Sequence, residues 1–119
     1  MREWAYLRPG CPASCGFQPR KIMLYSTGEG TCVFLFDSEE AVFAAADEFY
    51  ESEEEALETW GEWVAPGGWQ VIDDPLPDCQ HDCILPIRVK GRNEGAPQWG
   101  RYEILRDGGW YDLSMEQEP

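Results

Sequence analysis

The hydrophobic and polar positions along the chain predict a β-hairpin near its beginning. Residues 21–27 (KIMLYST) and 32–36 (CVFLF) are rich in β-branched and aromatic side chains, and Gly28, Glu29 and Gly30 separate them. Two short runs of this kind, joined by glycines, are typical of antiparallel strands with a tight turn. We therefore expect these two runs to pair.

A helix is predicted to begin after Ser52. Ser52 can cap the first turn, and Glu55 stands three residues later, as in a capping box. The apolar residues that follow share one helical face, and they are Ala56, Leu57, Trp60, Trp63 and Val64. Residues 66–68 (PGG) are expected to end the helix.

Residues 41–50 allow two interpretations. Val42, Ala45, Ala46 and Phe49 have helical spacing, whereas the aromatic residues that end the stretch fit a strand leading into the helix. We favour the strand. If the stretch is a helix, the protein has two consecutive helices.

The C-terminal half predicts further strands. They lie at residues 69–72, 84–92 and 99–106, and residues 107–109 (DGG) turn the last of them into WYDL, a second hairpin. The predicted fold class is therefore α+β. We expect a mainly antiparallel sheet of about five or six strands with two hairpins, packed against one helix or two.

Proline and glycine suggest how the chain is divided. Residues 1–20 contain three prolines and two glycines, which predict an extended arm without regular elements. We expect a single α+β domain over residues 21–113 and a polar tail over residues 114–119. An alternative is that residues 1–20 are an upstream extension that precedes a start at Met23.

The chain is strongly acidic, with 23 Asp and Glu against nine Lys and Arg and a formal net charge of -14. This charge repels nucleic acids and anionic membranes, so we expect a basic protein as partner and no direct binding to nucleic acid or membrane. Five cysteines, an odd number, occur without an export signal. Together these features predict reduced thiols and a cytoplasmic location.

The densest run of carboxylates lies between Asp47 and Glu58, where seven of twelve residues are acidic. We interpret it as a surface that binds a basic protein through complementary charge. The candidate partner-binding residues are Asp47, Glu48, Glu51, Glu54, Glu55, Glu58 and Glu62. Two alternatives stay open. The run is a solvated helix face, or it imitates duplex phosphates and makes the protein a DNA mimic that targets a nucleic-acid-binding protein.

The sequence CQHDC places Cys79, His81 and Cys83 at alternate positions, where an extended backbone would point their side chains the same way. Thiolate and imidazole suit zinc, and Cys11 and Cys15 could complete a tetrahedral site. The spacing departs from the usual zinc knuckle, so we expect reduced thiols beside a surface histidine and no cofactor. A small zinc-binding domain or enzyme centred on His81 is the alternative.

Three basic residues, Arg88, Lys90 and Arg92, alternate along one predicted strand and share a face. Arginine suits phosphate or carboxylate through its bidentate geometry, so the three are a candidate anion site. The favoured interpretation is that they pair with the acidic helix of the same molecule. Each exposed pair would then contribute at most about 1 kcal/mol.

The motifs of three common catalytic and nucleotide sites are missing. The chain has no Walker loop, no G-x-G-x-x-G and no G-x-S-x-G, and His81 is its only histidine. Carboxylates are abundant, but nothing distinguishes an acid from a base among them. The sequence therefore favours a binding role over catalysis.

The segments FYESEEEALETW, CQHDCILPIRVKGR and QWGRYE resemble parts of small uncharacterised bacterial proteins, and the overall plan is similar to that of immunity proteins. The resemblance covers most of residues 23–113. It implies a small acidic inhibitor that neutralises a partner toxin, and we expect residues 47–62 to dock on a basic surface of that partner.

Overall fold

Five strands of the first half of the chain form one antiparallel sheet. They are β1 (Arg2–Tyr6), β2 (Lys21–Thr27), β3 (Gly30–Phe36), β4 (Ala46–Tyr50) and β5 (Gln70–Ile72), in the spatial order β4-β3-β2-β1-β5. The computed structural model describes residues 1–13 and 16–113. These residues divide into two compact units, Met1–Asp74 and a second unit that begins at Pro75. That boundary falls inside residues 21–113, which the sequence analysis assigned to one domain.

The first predicted hairpin is confirmed. β2 and β3 pair from Lys21 with Phe36 to Thr27 with Gly30, so Gly28 and Glu29 form a two-residue turn. β4 then pairs with β3, which confirms a strand for residues 46–50. Within residues 41–50, the strand therefore occupies the second half, and no helix forms there.

A regular strand lies inside the segment that was expected to be an arm without regular elements. β1 pairs with β2 over five residues and with β5 over three, so it has a neighbour on each side. The prolines and glycines of residues 1–20 all follow Tyr6, and they leave residues 2–6 able to pair. Ala5 and Leu7, from β1 and just beyond it, are buried in the core.

The helix begins where the sequence predicts. In α1 (Glu53–Trp60), the Ser52 hydroxyl accepts a hydrogen bond of 3.2 Å from the Glu55 backbone N–H, which satisfies one donor of the first turn. A 3₁₀ turn, Gly61–Trp63, continues the chain. α1 covers one face of the sheet, and the buried residues of that core are Ala5, Leu7, Cys11, Ile22, Leu24, Val33, Leu35, Ala56 and Trp60.

The second unit contains a three-stranded antiparallel sheet. Its strands are β6 (Ile87–Val89), β7 (Tyr102–Arg106) and β8 (Gly109–Leu113), in that spatial order. β7 and β8 form the second predicted hairpin, with positive φ at Asp107 and Gly108, as a type I′ turn requires. The fold class is thus confirmed as α+β and mainly antiparallel.

Candidate functional site

Most of the predicted partner-binding carboxylates lie on the surface of the first unit. In α1, Ala56 and Trp60 turn toward the sheet, so the opposite side of the helix points to solvent. β4 and the 3₁₀ turn add exposed carboxylates before and after the helix. We define the acidic face as the six exposed residues Asp47, Glu51, Glu54, Glu55, Glu58 and Glu62. Asp47 lies at its margin, on the side of β4 that points away from the helix.

The acidic face is not neutralised by basic side chains. In the part of the chain that the structure describes, which includes all nine Lys and Arg, none of the six carboxylates forms an ion pair. The unit Met1–Asp74 has 15 Asp and Glu against four Lys and Arg, a net charge of -11. The acidic face therefore carries negative charge that no basic side chain of the described residues compensates.

The acidic face also opposes formation of the helix that carries it. Glu54 and Glu58 are four residues apart within α1, and like charges at this spacing destabilise a helix by about 0.2–0.5 kcal/mol per pair. The last turn of α1 has no basic residue, so Glu58 stands near the negative end of the helix dipole without compensation.

Glu48, the remaining predicted partner-binding residue, is half-buried and is therefore left out of the acidic face. Its carboxylate Oε1 accepts hydrogen bonds from the indole N–H of Trp60 at 3.0 Å and from the hydroxyl of Tyr50 at 2.8 Å. Burial and the hydrogen bond to Glu48 both raise the pKa of the Tyr50 hydroxyl. Alternation along β4 turns Glu48 toward the helix and leaves Asp47 on the other face of the sheet. Glu48 therefore joins strand and helix.

Sequence reasoning missed a carboxyl pair formed by Glu3 and Glu53. Burial, a side-chain hydrogen bond to Glu53 and the charge of Glu53 together raise the pKa of Glu3 to about 7. Glu3 lies on β1 and Glu53 in the first turn of α1, so the pair connects segments fifty residues apart in sequence. No local pattern could have revealed it.

The three residues of the candidate anion site interact within their own unit. Arg88 Nε lies 2.7 Å from Glu103 Oε1, and its guanidinium lies 3.7 Å from the centre of the Trp110 ring. Lys90 Nζ lies 2.8 Å from Asp112 Oδ1.

Arg92 donates a long hydrogen bond of 3.4 Å to Gln80. Arg88 and Lys90 thus pair with carboxylates of their own sheet, and the expected pairing with the acidic helix is wrong. The structure leaves no row of three uncompensated cations at this position.

Four of the five candidate zinc ligands, Cys11, Cys79, His81 and Cys83, lie among the described residues. Cys79 and Cys83 are buried, whereas His81 is exposed. Among residues 1–13 and 16–113, no group of three His, Cys, Asp or Glu side chains could hold a metal ion. The Cys11 thiol donates to the Pro19 carbonyl at 3.2 Å, and Cys15 lies outside the described residues.

Comparison with family models, with curated proteins and with solved structures gave no match for this chain. Within the described ranges, no helix combines the length and the apolar character needed to cross a membrane. Conclusions about function therefore depend on the acidic face and on its immediate surroundings.

Proposed function

We propose that this protein is a small acidic binding module that docks its acidic face on a basic surface of another protein. The observation that carries the proposal is the exposure of six carboxylates on one helix and its flanks, without a Lys or Arg partner among the described residues. The negative electrostatic potential of these carboxylates attracts a basic partner from a distance and speeds association at low salt.

The energetics of α1 support this role. The carboxylates of Glu54 and Glu58, four residues apart, lower the stability of the helix, and a basic partner would relieve their repulsion on binding. An inhibitor or immunity-type protein uses this kind of complementarity. The thiols of Cys11 and Cys32 fit a reducing compartment, so we place the protein in the cytoplasm.

The proposal is tested with polylysine as the probe of a basic surface. The variant Glu54→Gln/Glu55→Gln/Glu58→Gln removes three charges from the acidic face and keeps hydrogen-bonding side chains of similar size. We expect its affinity for polylysine, measured by isothermal titration calorimetry at low salt, to fall about tenfold. The wild-type affinity itself should fall as salt rises.

The matched control removes three charges elsewhere, at Glu29, Asp37 and Glu94, all exposed. Glu29→Gln/Asp37→Asn/Glu94→Gln should bind polylysine within about twofold of the wild type, because it leaves the acidic face intact. If both triple variants weaken binding equally, only the net charge matters and the acidic face is not a docking surface.

A further inference from the structure

β4 is an outer strand of its sheet, since among residues 1–13 and 16–113 only β3 pairs with it. An outer strand presents backbone N–H and C=O groups that can pair with another extended chain. Proteins commonly prevent this with Pro or Lys in the strand, and β4 (ADEFY) contains neither. Its two charged residues, Asp47 and Glu48, are both acidic.

Phe49 is the exposed aromatic side chain of this edge, with 62% of its surface accessible. Its ring lies over Gly30 at the beginning of β3, where a Cβ atom would collide with the ring. A ring held in this way loses little freedom when a partner covers its outer side, which favours binding. Phe49 is therefore a ready apolar contact beside the strand edge.

The charges around β4 select the chemistry of the partner. Asp47 shares a face of the strand with Phe49, and Glu51 follows the strand directly. A second copy of this chain would bring like charges together at the edge, which disfavours self-pairing. An extended segment rich in Lys or Arg would meet complementary charge.

The other outer strands fit this role less well. β5 has three residues, and the outer side of β6 is partly occupied because the Gln80 backbone N–H donates to the Ile87 carbonyl at 2.7 Å. β8 carries an exposed aromatic residue, Tyr111, but its Asp112 is paired with Lys90. β8 therefore offers an edge without the surplus of negative charge, and it serves as the matched control.

We propose that the outer edge of β4 binds a basic, extended segment of the partner protein as an added strand. The inference depends on the proposed function, since it names the part of the partner that the acidic face receives. Backbone hydrogen bonds to β4 supply affinity. On the face that Asp47 and Phe49 share, an apolar residue of the segment contacts Phe49 and a basic residue pairs with Asp47.

The test uses a lysine–valine peptide of Lys-Lys-Val-Val repeats, which places both residue types on each face of an added strand, together with a version that is N-methylated on alternate residues. N-methylation removes backbone donors and leaves every charge in place. We expect the unmodified peptide to slow amide hydrogen exchange in β4 and the methylated peptide to bind at least about tenfold more weakly. Equal affinity of the two peptides, without protection of β4, would overturn strand addition.

Two variants locate the apolar contact. Phe49→Thr keeps a strand-forming residue but removes the ring, and Tyr111→Thr makes the same kind of change on β8. We expect Phe49→Thr to lower the affinity for the lysine–valine peptide about fivefold and Tyr111→Thr to leave that affinity unchanged. Equal effects of the two would contradict binding at β4.

These outcomes separate the two proposals. If the peptide binds through charge alone, the triple glutamine variant of α1 still binds it more weakly than the wild type does. The proposed function then stands without strand addition. If neither peptide distinguishes the acidic-face variant from its control, the proposed function fails as well.

Discussion

Asp47 and Glu48 are neighbours in β4 with opposite surroundings. Glu48 accepts hydrogen bonds from Trp60 and Tyr50, whereas Asp47 is exposed. We expect Glu48→Leu to lower the free energy of unfolding by about 2 kcal/mol, because it leaves the buried indole N–H without an acceptor. Urea denaturation followed by circular dichroism measures this change.

Two comparisons show whether the hydrogen bonds cause the loss. Glu48→Gln keeps an acceptor oxygen and should recover more than half of the stability, while Asp47→Leu should change it by no more than about 0.5 kcal/mol. If Asp47→Leu lowers the free energy of unfolding as much as Glu48→Leu does, the loss comes from placing an apolar residue in β4 and not from the missing hydrogen bonds.

The carboxyl pair of Glu3 and Glu53 makes stability depend on pH. The folded protein holds a proton on Glu3 up to about pH 7, whereas the unfolded chain releases it near the ordinary pKa of 4.5. The folded state therefore binds more protons between these values, and its stability falls as pH rises through this window.

We expect Glu3→Gln to remove this fall. Above pH 7 the variant should be more stable than the wild type by about 1–2 kcal/mol, after allowance for solvent screening, with little difference below pH 4.5. Urea denaturation at a series of pH values tests it. Glu29→Gln, an exposed control with the same charge change, should keep the wild-type slope; a Glu3→Gln slope equal to the wild type's would contradict the pair.

At the level of elements, the dipole of α1 predicts effects of different size for two similar substitutions. Glu58→Gln removes repulsion from Glu54 and an unfavourable charge near the helix C-terminus, so it should raise stability by about 0.5 kcal/mol. Glu54→Gln removes repulsion too, but it loses a carboxylate that suits the helix N-terminus. Its gain should be smaller or absent.

Thermal denaturation of both variants measures the difference. Both remove one charge from the acidic face, so their affinities for polylysine should fall alike, while their stabilities differ. Identical stabilities would indicate that the dipole of α1 has no measurable influence at these positions.

Elements with local determinants were predicted well from the sequence. Ser52 caps α1 as its hydroxyl and the spacing to Glu55 indicate, and both hairpins turn at their glycine-containing sequences. β1 (Arg2–Tyr6) was missed because it is short and mixes two strand-favouring residues, Trp4 and Tyr6, with three that are not, so the strand depends on pairing with β2 and β5. Whether such a segment forms a strand depends on residues that are distant in sequence.

The same distinction holds for the candidate site. Exposure of Glu54, Glu55 and Glu58 follows from helical periodicity, which the sequence displays. The internal role of Glu48 depends on Trp60 reaching β4, and the pairing of Arg88 with Glu103 depends on strand register. Neither contact can be deduced from spacing along the chain.

At the scale of the whole molecule, the position of β1 makes residues 1–20 essential to the first unit. Their deletion would remove the strand between β2 and β5 together with buried Ala5, Leu7 and Cys11. We expect the truncated chain to lose its cooperative thermal transition in circular dichroism. An unchanged melting temperature would instead support the interpretation of these residues as an upstream extension.

Point substitutions in β1 provide the matched comparison. Ala5 is buried and Tyr6 is partly exposed at the next position. Ala5→Asn should destabilise by about 2 kcal/mol or more, because it places an amide in the apolar core, and Tyr6→Asn should have a much smaller effect. Equal effects would contradict the observed alternation of the strand.

The hydrogen bond from Trp60 to Glu48 fastens α1 to the outermost strand of the sheet. This hydrogen bond links the helix that carries the carboxylates to the strand with the exposed backbone edge in the unbound protein. A partner that contacts both the helix and the strand edge therefore meets a preorganised surface, and less conformational entropy is lost on binding.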